Sequence, residues 1–360
     1  NTLLSFESTL FYFRFGFFVL SVVYVLQNDE KFENLFLKVL FFSILLLISD
    51  AYLQYFSGFN SIAFILKILN LNELIDTYGY SYSGIYPDNR LSSFLGKEKI
   101  LGSYVTRILP FVILFIYKFY NKDNYFLSVF LIFTFTSCSV LVLLSGERSA
   151  FFSLILYCII FFKIINYNYK IKIVAIALVL LPLILISIFH HETFDRMYYK
   201  TLYEFSKLEF KTPAFSPQHQ AIYVSALTIF KDNPIFGIAP KMFRQICKKD
   251  KYKVFIKSDP SVNGCQTHPH NTYIQLLSET GIIGAIPIFI LFIYSFYSIF
   301  FRTVLIKLNA HNSTYFILMT SVLVNLWPLI PTGNFFNNWL SVLYYLPLGF
   351  IIHSQIKNKI

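Results

Sequence analysis

The sequence predicts an all-α polytopic membrane protein, with about nine transmembrane helices and two long loops on one membrane face. Three observations carry this. Of its 360 residues, 56% are hydrophobic and only 14% are charged, where a soluble domain carries about 25% charged residues. Apolar runs recur at close to the roughly 20 residues that a helix needs to cross a hydrocarbon core. The Lys and Arg residues of the short connections fall on every second connection, the pattern of a chain threaded back and forth through a bilayer.

The apolar runs fall at about 10–27, 35–49, 103–120, 125–144, 150–165, 171–189, 282–301, 313–330 and 339–353. Residues 1–49 thus hold the N-terminal spans and 50–102 a first long loop. Residues 103–189 hold the central spans, with a tight turn at 145–149; 190–280 form a large second loop and 281–360 the C-terminal spans. Lys31 and Lys38, Lys118 and Lys122, Lys163 with Lys170 and Lys172, Arg302 and Lys307, and Lys357 with Lys359 lie on alternate connections, which makes those connections cytoplasmic. The two long loops, the turn at 145–149 and the connection 331–338 then face outward, which is the periplasm for the inner membrane of a Gram-negative cell. Asn1 in first place, rather than Met, points to a chain that lacks its true N-terminus. The net charge of +11 reflects cytoplasmic loops beside anionic membrane lipids, not nucleic acid, for which no basic stripe is present.

Cysteine usage agrees with that placement. Cys138 and Cys158 lie within spans as small apolar residues. Cys247 and Cys265 share the large outer loop, where an oxidising compartment permits a disulfide. Such a bridge closes a loop of about 17 residues and is worth roughly 3 kcal/mol in the chain-entropy model; two unpaired thiols are the alternative. The stretches Ile62–Leu71 and Ile222–Phe230 read as amphipathic segments lying on the membrane surface.

No Asp-x-Asp, Gly-rich phosphate loop, Gly-x-Ser-x-Gly or Cys-x-x-Cys occurs, so nucleotide binding and serine hydrolysis have no support. The informative segment is Thr267-His268-Pro269-His270-Asn271 through Gly281 and Gly284. Asn271 is a good N-cap and Gly281 a good C′ residue, which predicts a helix of about ten residues between them. His270 then stands just before a helix N-terminus, whose partial positive charge disfavours imidazolium and keeps the ring able to accept a proton. On residues alone, this catalytic reading and a purely structural one stand level. A metal chelate on His268 and His270 ranks below both, since only the distant His190-His191-Glu192 offers further ligands. Arg148, in Ser145-Gly146-Glu147-Arg148-Ser149, is a charge held between two spans, a functional candidate by default. Arg90 and Arg196 lie in the two outer loops and Arg107 enters a span at the same face. Arginine forks bind phosphate oxygens in pairs, so several on one face suit a diphosphate. Arg14, inside the first apolar run, has no partner that the sequence identifies.

Four stretches resemble the O-antigen ligase family, which with the O-antigen polymerases forms one superfamily of integral-membrane glycosyltransferases. They are His270-Asn271 followed after nine residues by Gly281 and after two more by Gly284; Asp50 to Gly58 with Arg90-Leu91-Ser92 and Ile100 to Tyr104; Ser145 to Ser149; and Phe230 to Gly237. The resemblance implies about twelve spans in a full-length chain. It also implies an undecaprenyl-diphosphate-linked glycan as donor, lipid A–core as acceptor, no metal or other cofactor, and inversion at the anomeric carbon. His270 would be the general base; Arg148, Arg90 and Arg196 would hold the diphosphate, with His268 and Asn271 beside the substrate. Phe152 stands where the arginine motif often has Leu, and Ala285 and Ile286 where the longer ligase signature has Thr or Tyr. A polymerase that joins repeat units is the alternative. A transporter ranks below both, because polar residues gather on one face instead of at the midplane.

Overall fold

A computed structural model describes residues 9–81, 90–119, 125–164, 194–206, 215–256, 263–302 and 312–357, with scattered positions between 173 and 188. Most of the predicted span 171–189, and all of His190-His191-Glu192, lie outside the described residues. In chain order the α-helices are α1 (Arg14–Asn28), α2 (Phe32–Ser57), α3 (Ser61–Ile68), α4 (Asn72–Tyr78), α5 (Leu101–Phe119), α6 (Tyr125–Leu144), α7 (Arg148–Ile164), α8 (Lys200–Ser206), α9 (Pro217–Asp232), α10 (Phe243–Ile246), α11 (Thr272–Tyr297), α12 (Ser313–Asn325) and α13 (Asn338–Lys357). Among the described residues there is no strand, only an isolated bridge between Phe59 and Ser81. Among the described residues, four helical stretches are long and apolar enough to cross a membrane: α2, α5, α11 with its continuation to Arg302, and α13. The helices at Arg14–Asn28, Phe133–Leu144, Arg148–Phe161 and Thr314–Asn325 are apolar but shorter.

The chain divides into two compact units. The first comprises Asp29–Lys200 and Lys307–Leu318. Within it α5 packs against α2, α6 and α7. The apolar pattern predicts the end of α2 at residue 49, yet the helix runs on to Ser57, where Gly58 caps it in the left-handed conformation (φ 79°). Asp50 and Gln54 hide this continuation in the sequence, because polar residues end an apolar run. They stand four apart on one buried face and are spent on hydrogen bonds. Asp50 accepts from the hydroxyls of Ser61 and Ser93, and Gln54 Oε1 accepts from the backbone N–H groups of Ser92 (3.1 Å) and Ser93 (2.7 Å). Asn60 caps α3 and donates to the Ser93 carbonyl at 2.7 Å. The last turns of α2 therefore fix the segment that follows Arg90, whose neighbour Leu91 is fully buried.

The second unit comprises Asn1–Asn28, Thr201–Ile306 and Met319–Ile360. Here α1 packs along α13, and Arg14 finds its partner: Nη2 donates to Asn338 Oδ1 at 2.6 Å. Helix α9 opens with Ser216 as N-cap and Pro217 in its first turn, a position where the missing proline N–H costs nothing. The membrane-surface reading of Ile222–Phe230 is corrected here. Ile222, Ala226 and Ile229 are buried in a core with Phe243, Cys247 and Tyr252, because α9 has α10 and α11 to cover its apolar face. Cys247 and Cys265 form a disulfide in this core, with Cα atoms 5.2 Å apart.

Candidate functional site

In the first unit the arginine candidates gather at one backbone turn. Residues 145–147 link α6 to α7, with Gly146 at φ 64° and Arg148 as the first residue of α7. A cation at the positive end of a helix opposes the helix dipole, so Arg148 does not stand there for helix stability. Arg196, in a π-helical turn at Asp195–Tyr199, donates from Nε to the Gly146 carbonyl at 3.0 Å. Its Cδ lies 2.9 Å from where a Cβ on Gly146 would stand, and Arg90 Cδ lies 3.8 Å from the same point. A side chain at 146 would therefore displace Arg196, in addition to straining the backbone.

Glu147 anchors this turn. Its buried carboxylate accepts from the backbone N–H groups of Gly102 (2.7 Å) and Ser103 (3.2 Å), orphan donors at the start of α5. Gly102 leaves room for this, since a Cβ there would run into the Ser145 hydroxyl. Burial pushes the Glu147 carboxyl above its usual range, against those hydrogen bonds and the nearby charge of Arg90. Lys99 joins the cluster: burial and then the charge of Arg90 pull its ammonium below the usual range, and Nζ stands 3.5 Å from Ser92 Oγ. Sequence reading missed Lys99; its one signal was a place two residues ahead of α5, immediately before the Ile100–Tyr104 stretch.

In the second unit the histidine motif forms the start of α11. Asn271 caps it: Oδ1 accepts from the N–H groups of Tyr273 (3.0 Å) and Ile274 (3.2 Å), while Nδ2 donates to the Pro328 carbonyl at 2.8 Å. His270 sits at φ 56°, a backbone conformation uncommon outside glycine. Its carbonyl accepts from Thr332 N at 2.9 Å and, at a longer 3.5 Å, from the Tyr223 hydroxyl. The rings of His268 and His270 are 4.0 Å apart, and His219 on α9 stands 5.6 Å from His270 with the ring planes at 90°. Burial lowers the tendency of His270 to protonate. Burial and the neighbouring His270 bring His268 down to about 3. Both are thus neutral at neutral pH. Among the described residues, no three His, Cys, Asp or Glu side chains gather as a metal site.

The predicted helix Asn271–Gly281 exists, but Gly281 interrupts α11 without ending it. Its φ of 64° and ψ of −166° lie in a region that only glycine enters readily. At the break Ile282 N donates to the Pro234 carbonyl (2.9 Å) and Ile238 N to the Ser278 carbonyl (3.1 Å). A Cβ on Gly281 would strike the Ile235 carbonyl, and one on Gly237 the backbone of Glu279. The Phe230–Gly237 stretch and the histidine motif are therefore one structural device, in which a turn docks backbone to backbone into a broken helix. Within α11, Gln275 and Glu279 are fully buried; Gln275 Nε2 bonds Glu279 Oε2 and Asn334 Oδ1, each at 2.8 Å. Beside Asn271 an apolar groove of about 460 Å³ opens between Tyr273, Leu277, Ile286, Phe289 and Leu329.

The structure thus brings Arg90, Arg148 and Arg196 to one turn of the first unit. His268, His270 and Asn271 stand together in the second, with the Cys247–Cys265 bridge in the same unit. Sequence reading missed His219, Tyr223 and Thr332. The first two carry a faint signal, four apart behind a Ser-Pro helix start; Thr332 carries none, since its N–H does the binding. No curated protein and no solved structure gives a significant match to this chain. Residues 130–289, just under half the chain and inclusive of Arg148, Arg196 and the segment from His268 to Gly284, match the family model described as O-antigen ligase; this match supports the O-antigen ligase and polymerase superfamily as the family of the chain.

Proposed function

We propose that this protein is an inverting membrane glycosyltransferase of the ligase type. It moves a glycan from undecaprenyl diphosphate to lipid A–core at the periplasmic face of the inner membrane. The observation that carries the reading is the Gly146 turn, where Arg196 and Arg90 close in on one backbone position beside Arg148. Glu147, beside them, has both carboxylate oxygens engaged by backbone donors. Clustered guanidinium groups fit a diphosphate, whose departure they ease by stabilising the charge that develops on it.

The residues divide the work as follows. An acceptor hydroxyl oxygen attacks the anomeric carbon as the bond from that carbon to the diphosphate oxygen breaks. The electron pair leaves with undecaprenyl diphosphate, and the hydroxyl proton passes to the neutral imidazole of His270. Arg90, Arg148 and Arg196 hold the diphosphate. His268 and Asn271 line the acceptor side, where the apolar groove beside Asn271 suits a lipid chain.

The test is transfer from a labelled undecaprenyl-diphosphate oligosaccharide by the purified full chain and by His270→Ala, with and without lipid A–core and in the presence of EDTA. Label on lipid A–core that is lost in the variant supports the ligase with His270 as base. Longer glycans from donor alone make the protein a polymerase. No glycosidic product from a folded protein removes the glycosyltransferase reading.

A further inference from the structure

We propose that His219 is a positioning residue for His270: an imidazole on α9 that holds the His270 ring edge to face and so presents its nitrogen to the acceptor hydroxyl. This rests on the reading of His270 as the base.

Two contacts one helical turn apart carry the inference. His219 and Tyr223 stand four residues apart on α9 and so share a face. His219 meets the His270 ring at 5.6 Å between centres and 90° between planes, while the Tyr223 hydroxyl reaches the His270 carbonyl. One helix therefore grips both the ring and the backbone of the same residue. The backbone needs that grip, because a non-glycine residue at φ 56° persists only where its surroundings over-determine it. His268 also touches the His270 ring, from two residues away on the same loop. His219 is anchored on a separate element. The Ser216 hydroxyl that caps α9 lies 2.7 Å from His219 Nδ1 and accepts from the His219 backbone N–H at 3.4 Å. The ring that faces His270 is thereby tied to a capped helix start.

A base in catalysis is ordinarily oriented by a third group. Here the ring neighbours that the structure shows are imidazoles, and perpendicular aromatic planes fix rotation by shape and quadrupole without taking a proton. The basicity of His270 then stays under the control of burial, and its direction under the control of α9.

The test uses the purified full chain with His219→Ala, His219→Phe and His219→Leu, and two readouts. The first is glycan transfer from the undecaprenyl-diphosphate oligosaccharide. The second is the rate at which diethyl pyrocarbonate modifies His270, read by mass spectrometry. We expect His219→Ala and His219→Leu to lose about tenfold or more in kcat with donor KM within about twofold, a misorientation effect. His219→Phe keeps an aromatic edge or face and stays within about threefold of wild type. Modification of His270 speeds up about threefold or more in the Ala and Leu variants and not in Phe, because the released ring exposes its nitrogen. If the Ala variant fails to fold, the Leu and Phe pair decides. A Phe variant as slow as Leu overturns positioning in favour of a proton-accepting nitrogen on His219. Unchanged kcat and unchanged modification in Leu overturn it outright. Should the wild type make no glycosidic product, the proposed function falls, yet the modification rates still show whether His219 holds the His270 ring.

Discussion

His268 is a base that the fold keeps uncharged. Burial, then the adjacent His270, hold it at about 3, while the same imidazole in an unfolded chain titrates near 6.5. Between those values the unfolded chain binds the extra proton, so the folded state loses stability as pH falls from about 6.5 toward about 3 and gains none above. Melting temperatures of the purified protein should therefore drop over that interval, and His268→Gln should flatten the slope. An unchanged slope in the variant would place the acid sensitivity elsewhere. His270 is displaced in the same direction by burial, so the acid limb of kcat/KM should lie below the ordinary histidine range. Burial acts on Glu147 by the same rule from the acid side: it pushes the carboxyl above its usual range, against the two helix-terminal donors through which Glu147 anchors the arginine turn.

Among the elements, the broken helix α11 is the part whose logic is clearest. Asn271 and Gly281 announce its first segment because a cap and a positive-φ glycine each have a chemical signature in sequence. The apolar run at 282–301 announces that the chain resumes as helix after Gly281; what sequence does not announce is the turn that docks into the break, some forty-five residues earlier, at 234–237. Its partners are backbone atoms, which carry no residue code. The same reason hid the continuation of α2 through Asp50 and Gln54, whose targets are mostly the backbone N–H groups and hydroxyls of Ser92 and Ser93. Resemblance to a family could mark these stretches as important, but not say that they touch. Gly281→Ala should cost about 1–3 kcal/mol from backbone conformation alone, and more from collision with the Ile235 carbonyl. Thermal melting against Gly16→Ala, a helical position with open space around its Cβ, separates the effect of the break from that of the substitution itself. Equal losses would mean that the break is not what position 281 is for.

At the scale of the whole molecule, composition made the membrane class plain, and the apolar runs located the long helices. The arrangement in two units was not visible, because it joins the first helix to the last segments of the chain. The sidedness read from lysines and arginines leads to a direct test. In cells with a permeabilised outer membrane, a membrane-impermeant maleimide should label Lys231→Cys, on α9. It should reach Lys357→Cys, at the end of α13, only after the inner membrane is opened; the reverse would invert the topology. The pairing of α1 with α13 has a further consequence, in time instead of space. Tyr12 and Arg14 find Phe335, Asn338 and Ser341 as partners. At ribosomal speeds, about 15–60 s separate the synthesis of α1 from that of α13. Through that interval Arg14 waits for its partner, and a chain that stops before Asn338 never supplies it.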